Sequence, residues 1–159
     1  MDIQVRQAQL SDIPLLVKAR IDFLTALGHA VTEENTAIIS KQVEQFLTQH
    51  LNRDIFAWIA LDGETAAAAG FLTLFQGMAH VSMPSGTYGR ITNMLTWPAY
   101  RSRGLARRIM NELINKAKEN NVDFVNLDAS DMGRPLYESL GFVDFIPKDP
   151  PMILTLNKN

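Results

Sequence analysis

Residues 91 to 106 read Ile91-Thr92-Asn93-Met94-Leu95-Thr96-Trp97-Pro98-Ala99-Tyr100-Arg101-Ser102-Arg103-Gly104-Leu105-Ala106, an apolar strand, a turn and the opening of a helix. A helix N-terminus offers unpaired N–H groups and partial positive charge, which together favour a phosphate. Gly104 lets a bulky anion come close to the backbone, and Ala106 is small enough to do the same. Arg101 and Arg103 add positive charge and donors for phosphate oxygens. The turn lacks the Gly-Lys-Ser/Thr ending of a Walker loop and the three spaced glycines of a dinucleotide fingerprint. On these residues alone, a plain strand-turn-helix connection with surface arginines explains the turn as well as a phosphate cradle does.

Working outward, Gly104 to Glu119 continues as a helix with Ala106, Ile109, Met110, Leu113, Ile114 and Ala117 on one face. Phe124 to Leu127 is expected as a strand, Pro135 to Leu140 as a short helix stopped by Gly141, and Phe142–Ile146 and Met152–Leu156 as final strands. Upstream, Tyr88 to Trp97 is the strand that feeds the turn. Ile55 to Leu61 reads as a buried strand, and Asp62-Gly63 as a hairpin turn into Thr65–Phe75. The four alanines of that return strand suit a helix, but their place after the hairpin turn favours a strand. Gln76 to Gly86 reads as a loop.

At the N-terminus, Ile3 to Arg6 alternates as a short strand. Ser11-Asp12-Ile13-Pro14 signals a helix start, and Ile13, Leu16, Val17, Arg20, Phe23, Leu24 and Leu27 follow at helical spacing up to Gly28. A second helix is expected from about Thr36 to Leu51, its buried stripe formed by Ile38, Ile39, Val43, Phe46, Leu47 and Leu51.

Composition narrows the function classes. The chain of 159 residues is 47% hydrophobic and 20% charged, carries a formal charge of -2 and has no cysteine. That length suits one domain with a sizeable core. The charge gives no general reason for a nucleic-acid or anionic-membrane partner. Without cysteine there is no disulfide, thiolate metal site or cysteine nucleophile, which fits a reducing, cytoplasmic setting. His29, His50 and His80 share no ligand spacing, so no metal is expected. No segment reads as a secretory signal or as a membrane span.

The order Arg101-x-x-Gly104-x-Ala106 after an apolar strand resembles motif A of the GNAT superfamily of N-acetyltransferases, Gln/Arg-x-x-Gly-x-Gly/Ala. Arg134-Pro135-Leu136-Tyr137-Glu138-Ser139-Leu140-Gly141-Phe142 is similar to that family's motif B, at a fitting distance downstream. The resemblance covers essentially the whole chain. It implies an α/β (α+β) GNAT fold over residues 1–159, a mixed, mostly antiparallel sheet of 6–7 strands flanked by about four helices, with the fourth and fifth strands splayed. Acetyl-coenzyme A lies in that gap.

Carried onto this chain, the resemblance gives Met94, Leu95 and Thr96 to the cofactor's amide arm and Arg101, Ser102, Arg103, Gly104, Leu105 and Ala106 to its pyrophosphate. Ser130 is a weaker candidate for the pantetheine arm. The reaction it implies is direct attack of an amine on the thioester, with a backbone N–H near Leu95 as oxyanion donor and Tyr137 as general acid. Without the family, Tyr137 reads as a half-buried aromatic holding the short helix. Asn93 is a candidate to orient the amine or a water, or to make a structural hydrogen bond. No carboxylate lies on that strand. Glu33, Glu34, His29, His80 and Asp128 are weaker candidates for a base, and deprotonation through ordered water is the alternative.

The acceptor is a small-molecule or peptide amine, and a homodimer is expected because such folds often pair. Two other classes are weighed beside this one. A nucleic-acid-binding module would use Arg101, Arg103, Arg107 and Arg108 with Trp97 and Tyr100, but the rest of the chain is slightly acidic. A catalytically silent coenzyme A-binding protein would keep the cradle and lose the chemistry.

Overall fold

The computed structural model describes residues 2–157. The chain divides into two compact units, one up to Asp128 and one from Ala129 on. The first holds β1 (Gln4–Gln7), α1 (Ile13–Ala26), α2 (Glu33–His50), β2 (Ile55–Asp62), β3 (Thr65–Gln76), β4 (Thr87–Thr96), α3 (Leu105–Glu119) and β5 (Val125–Asn126). The five strands lie in the order β1-β2-β3-β4-β5. Every pairing is antiparallel except the last, in which β4 and β5 run parallel. This is the mixed, mostly antiparallel α/β architecture expected.

The sheet is covered on both faces, which is why β2 reads as an unbroken apolar run. On one face, Ala57, Ile59, Ala69 and Phe71 join Ile13, Leu16 and Ala19 of α1 and Leu47 of α2 in a single core. Gly70, between Ala69 and Phe71, turns to the other face, where a Cβ would meet Ile109 and Leu113 of α3. The α3 stripe of Leu105, Ile109, Met110, Leu113 and Ala117 is buried there, as its spacing predicts. Lys116 of α3 lays its ammonium 4.7 Å from the Phe56 ring.

Local chemistry fixes the ends. Pro14 sits in the first turn of α1, where its missing N–H costs nothing. Arg6 of β1 holds the Asp12 carboxylate through two bonds, 2.8 and 2.9 Å, tying the first strand to the start of α1. Helix α2 begins earlier than expected, because Thr32 caps it by accepting from the Asn35 N–H while Asn35 Oδ1 accepts from the Thr32 N–H. Its expected stripe is only partly buried. Leu47 is covered, but Ile38 and Phe46 are 64% and 41% exposed. Gly63, at φ +62, turns the β2–β3 hairpin.

The second unit contains α4 (Arg134–Ser139). The two final strands expected at Phe142–Ile146 and Met152–Leu156 do not form, so the described residues give five strands rather than six or seven. Strand propensity expresses itself only through a hydrogen-bonded neighbour. Here Val143, Phe145, Ile146, Ile153 and Leu154 remain more than 80% exposed, at 86%, 86%, 87%, 91% and 81%.

Candidate active site

The site grows from a defect in β4. Across β3, Ala69 faces Leu95 and Phe71 faces Thr92, so Asn93 and Met94 together oppose the single residue Gly70. Two residues against one is a β-bulge, which bends its strand. Asn93 carries the bend at φ +56, in the left-handed region that asparagine tolerates better than most residues. Gly70 opposite it leaves room that the Met94 side chain fills, since an added Cβ would crowd Met94 Sδ.

Already short of the bulge β4 loses its neighbour on the β5 side. The parallel partner β5 pairs only at Gly89–Val125 and Arg90–Asn126, so among the described residues the stretch from Ile91 to Thr96 has no strand there. This is the splay between fourth and fifth strands that the resemblance implies. The ladder also decides which amides face the opening. Trp97 N–H donates to the Ala67 carbonyl at 3.0 Å, and Ala68 faces Thr96 while Ala69 faces Leu95. Alternation along an antiparallel ladder then commits the Leu95 N–H to Ala69 and turns Thr96 outward. Leu95, expected as the oxyanion donor, is therefore used by the sheet. The Thr96 N–H, turned away from β3, faces the opening.

After Thr96 the chain makes a short turn at Pro98–Tyr100 and enters α3 through Gly104, the N-cap, at φ +73. Ser102 also has positive φ, +60. Among the described residues the N–H groups of Ser102, Arg103 and Gly104 donate to no backbone carbonyl. Those of Leu105 and Ala106 lie in the first helical turn, which has no partner four residues back. A Cβ at Gly104 would meet nothing within 4 Å, so the space beside this residue is open. A run of free amides and an uncrowded glycine fit a diphosphate. Arg101 and Arg103 fold back on their own loop, Arg101 Nε donating to the Thr96 carbonyl at 3.3 Å and Arg103 Nη2 to that of Ala99 at 3.3 Å. Tyr100 anchors the turn by donating to Asp62 Oδ2 at 3.2 Å.

On the α1–α2 side of the bulge lies a cavity of about 240 Å³. Val43, Phe46, Leu47, Ile55 and Phe71 make its apolar wall, and Arg20, Gln42, Thr73, Thr92 and Asn93 bring polar groups. Asn93 is 3% exposed. Its Nδ2 donates to the Ala19 carbonyl at 3.4 Å, and its Oδ1 accepts from Arg20 Nη1 at 3.5 Å. Its amide thus braces the bulge against α1 while lining the cavity. Arg20 was visible in the sequence only as a charged residue inside an apolar stripe, which is the signal that marks it.

Among the described residues, neither an acid nor a histidine lines this cavity. Glu33 and Glu34 are exposed in the first turn of α2. Asp128 is held by Arg90 at 2.6 Å, His80 Nδ1 lies 2.9 Å from Ser82 Oγ, and His29 is exposed. Among the described residues there is no metal-binding group of three or more ligands, and no helix is long and apolar enough to cross a membrane.

In the second unit, Tyr137 is 9% exposed. Its ring meets Phe142 edge-on at 6.1 Å and lies against Gly133, where a Cβ would come within 2.7 Å of it. Burial pushes the phenol pKa up, so the hydroxyl keeps its proton at neutral pH. Ser130 has a local task, its Oγ and carbonyl both accepting from the Gly133 N–H at 3.1 Å ahead of α4.

Residues 28–149 match the family model of the acetyltransferase (GNAT) domain. No curated protein matches the sequence. Among solved structures, a predicted acetyltransferase from Clostridium acetobutylicum, determined with acetyl-CoA, is 31% identical with a TM-score of 0.85, the match covering 98% of this chain and 97% of that one. A GCN5-related N-acetyltransferase from Ralstonia eutropha is 24% identical at TM-score 0.80, over 95% of this chain and 99% of the other. Glucosamine-6-phosphate N-acetyltransferase from Arabidopsis thaliana shares the fold, at 18% identity and TM-score 0.70 over 99% and 100% of the two chains. The bulged and splayed β4, the glycine-capped α3 and the family match over 28–149 agree, and the chain belongs to the GNAT acetyltransferases.

Proposed function

We propose that this acetyltransferase moves the acetyl group of acetyl-coenzyme A to an amine by direct attack. The observation that carries the reading is the open edge of β4 running straight into the Gly104 turn, so that outward amides and a diphosphate cradle follow each other along the chain. Acetyl-coenzyme A supplies an acyl carbonyl activated as a thioester.

The Met94 and Thr96 amides hold carbonyl oxygens along the edge, with Met94 replacing Leu95 as donor to the oxygen where negative charge grows. Ser102, Arg103, Gly104, Leu105 and Ala106 hold the pyrophosphate through their backbone, and Arg101 and Arg103 contribute charge by releasing their loop contacts. Ser130 contacts the pantetheine arm only if it gives up its bond to Gly133. Tyr137, kept protonated by burial, gives its proton to the departing thiolate. The acceptor amine enters the cavity beside Asn93. With no acid or histidine lining that cavity, the amine loses its proton through water.

Calorimetry with acetyl-coenzyme A, beside thiol release over an amine panel, tests this reading. Gly104→Glu places a carboxylate in the open space before the cradle and should lower affinity at least about 100-fold, by repelling the pyrophosphate and closing its approach. A folded Gly104→Glu protein with unchanged affinity overturns the cradle. Tight binding with no amine acetylated overturns the transfer.

A further inference from the structure

We propose that the acceptor amine carries an oxyacid group, a carboxylate or a phosphate, which Arg20 binds inside the α1–α2 cavity; this rests on the acetyl-transfer reading above. Among the described residues, Arg20 is the one charged side chain in the cavity lining. It is half-buried on α1, and its hydrogen bond is a long one, 3.5 Å to the neutral Asn93 Oδ1. No carboxylate lies within ion-pair distance of it among the described residues. The acids of its neighbourhood in sequence are engaged elsewhere. Asp12 is held by Arg6, and Asp22 by Lys18 and by Trp97 Nε1.

A guanidinium withdrawn from water without an anion is costly, and a bound oxyanion offsets that cost through two parallel N–H bonds. Burial accordingly depresses the Arg20 pKa with no acid to raise it again, yet a guanidinium remains charged at neutral pH. The geometry extends the specification. Thr92 and Asn93 line the cavity, and Asn93 belongs to the bulge that leads to the open edge. An acid group at Arg20 therefore places an amine only a few bonds away toward the reacting end of β4. Val43, Phe46, Leu47, Ile55 and Phe71 leave an apolar wall for the rest of the molecule. A short amine with an acid group close by and an apolar body satisfies all three features.

Matched pairs test the proposal: amino acids from glycine to phenylalanine against their amides, and 2-aminoethyl phosphate against ethanolamine. Each amine is followed by calorimetry, which needs no turnover, and by kcat/KM for acetylation, in wild type, Arg20→Gln and Arg20→Lys. The expected result is a preference of at least about tenfold for the acid of one pair. That preference should be erased in Arg20→Gln and partly kept in Arg20→Lys, with acetyl-coenzyme A affinity unchanged in both. Preference in the amino-acid pairs assigns a carboxylate, and preference in the aminoethyl pair a phosphate. Equal binding of neutral and acidic members, a preference that survives Arg20→Gln, or no binding of any acid in the panel overturns it. Should Arg20→Gln fail to fold, the wild-type pairs and Arg20→Lys still decide. If acids bind through Arg20 and none is acetylated, transfer fails while this assignment stands.

Discussion

The acid role proposed for Tyr137 and a plain packing role both fit a buried, well-held phenol, and the hydroxyl alone separates them. Burial raises its pKa, so it enters the reaction protonated, and its own backbone and ring are fixed by Gly133 and Phe142. Tyr137→Phe keeps the ring and removes only the hydroxyl. We expect kcat to fall about 100-fold, with acetyl-coenzyme A affinity and stability at neutral pH preserved. An unchanged kcat reduces Tyr137 to packing. The same burial has a signed consequence for stability. Because the folded pKa lies above the unfolded one, near 10, the stability from this group is complete below the unfolded pKa and is lost as pH rises through the folded one. Thermal melts above about pH 10 should therefore show wild type losing Tm faster than Tyr137→Phe. Equal slopes would mean that the phenol is not withdrawn from solvent.

Elements differ in how plainly the sequence announces them, and the reasons are physical. The stripe of α3 repeats at helical spacing on a helix with one buried face, so Ile109, Met110 and Leu113 could be read directly. The alanines of β3 were legible only through the Asp62-Gly63 turn before them. The bulge in β4 left only faint marks in the sequence, an asparagine within an apolar strand and Gly70 within its neighbour, and neither fixes a bulge until the two are paired. Gly70→Ala tests the bulge, because its Cβ would meet Met94 Sδ, Ile109 and Leu113 at 2.3, 3.0 and 3.2 Å. A loss of about 1–3 kcal/mol in urea denaturation is expected, with Met94→Ala restoring part of it in a double-mutant cycle. Purely additive losses would show that Met94 does not fill the space over Gly70. At the start of α2, Thr32→Ala removes the oxygen that accepts from Asn35 N–H. It should cost about 1 kcal/mol, and Thr32→Ser should cost far less. A neutral Thr32→Ala would mean that water replaces the cap.

For the whole molecule, pattern alone overcounted. Phe142–Ile146 and Met152–Leu156 are short, largely apolar runs of strand-like composition, but composition does not supply the hydrogen-bonded partner that makes a ladder. What does organise the first unit is a sheet with separate cores on its two faces. Leu16 belongs to the core between α1, α2 and the sheet, and Leu113 to the layer under α3, both at 0% exposure. Leu16→Ala and Leu113→Ala should each cost about 2–5 kcal/mol, a large share of a typical total of about 5–15. With the sheet between them they share no packing partner, so the double variant should lose the sum to within about 0.5 kcal/mol. The functional effects should part company. Leu16 shares its core with Leu47, Ile55 and Phe71, which line the acceptor cavity, so Leu16→Ala should raise KM for the amine. Leu113 touches the space beside Gly70 and Met94, so Leu113→Ala should act on acetyl-coenzyme A instead. Urea denaturation with steady-state kinetics on the single and double variants reads both. Strong coupling in stability, or the same KM rising in both single variants, would mean that the two faces work as one body and that the sheet does not separate acceptor from donor.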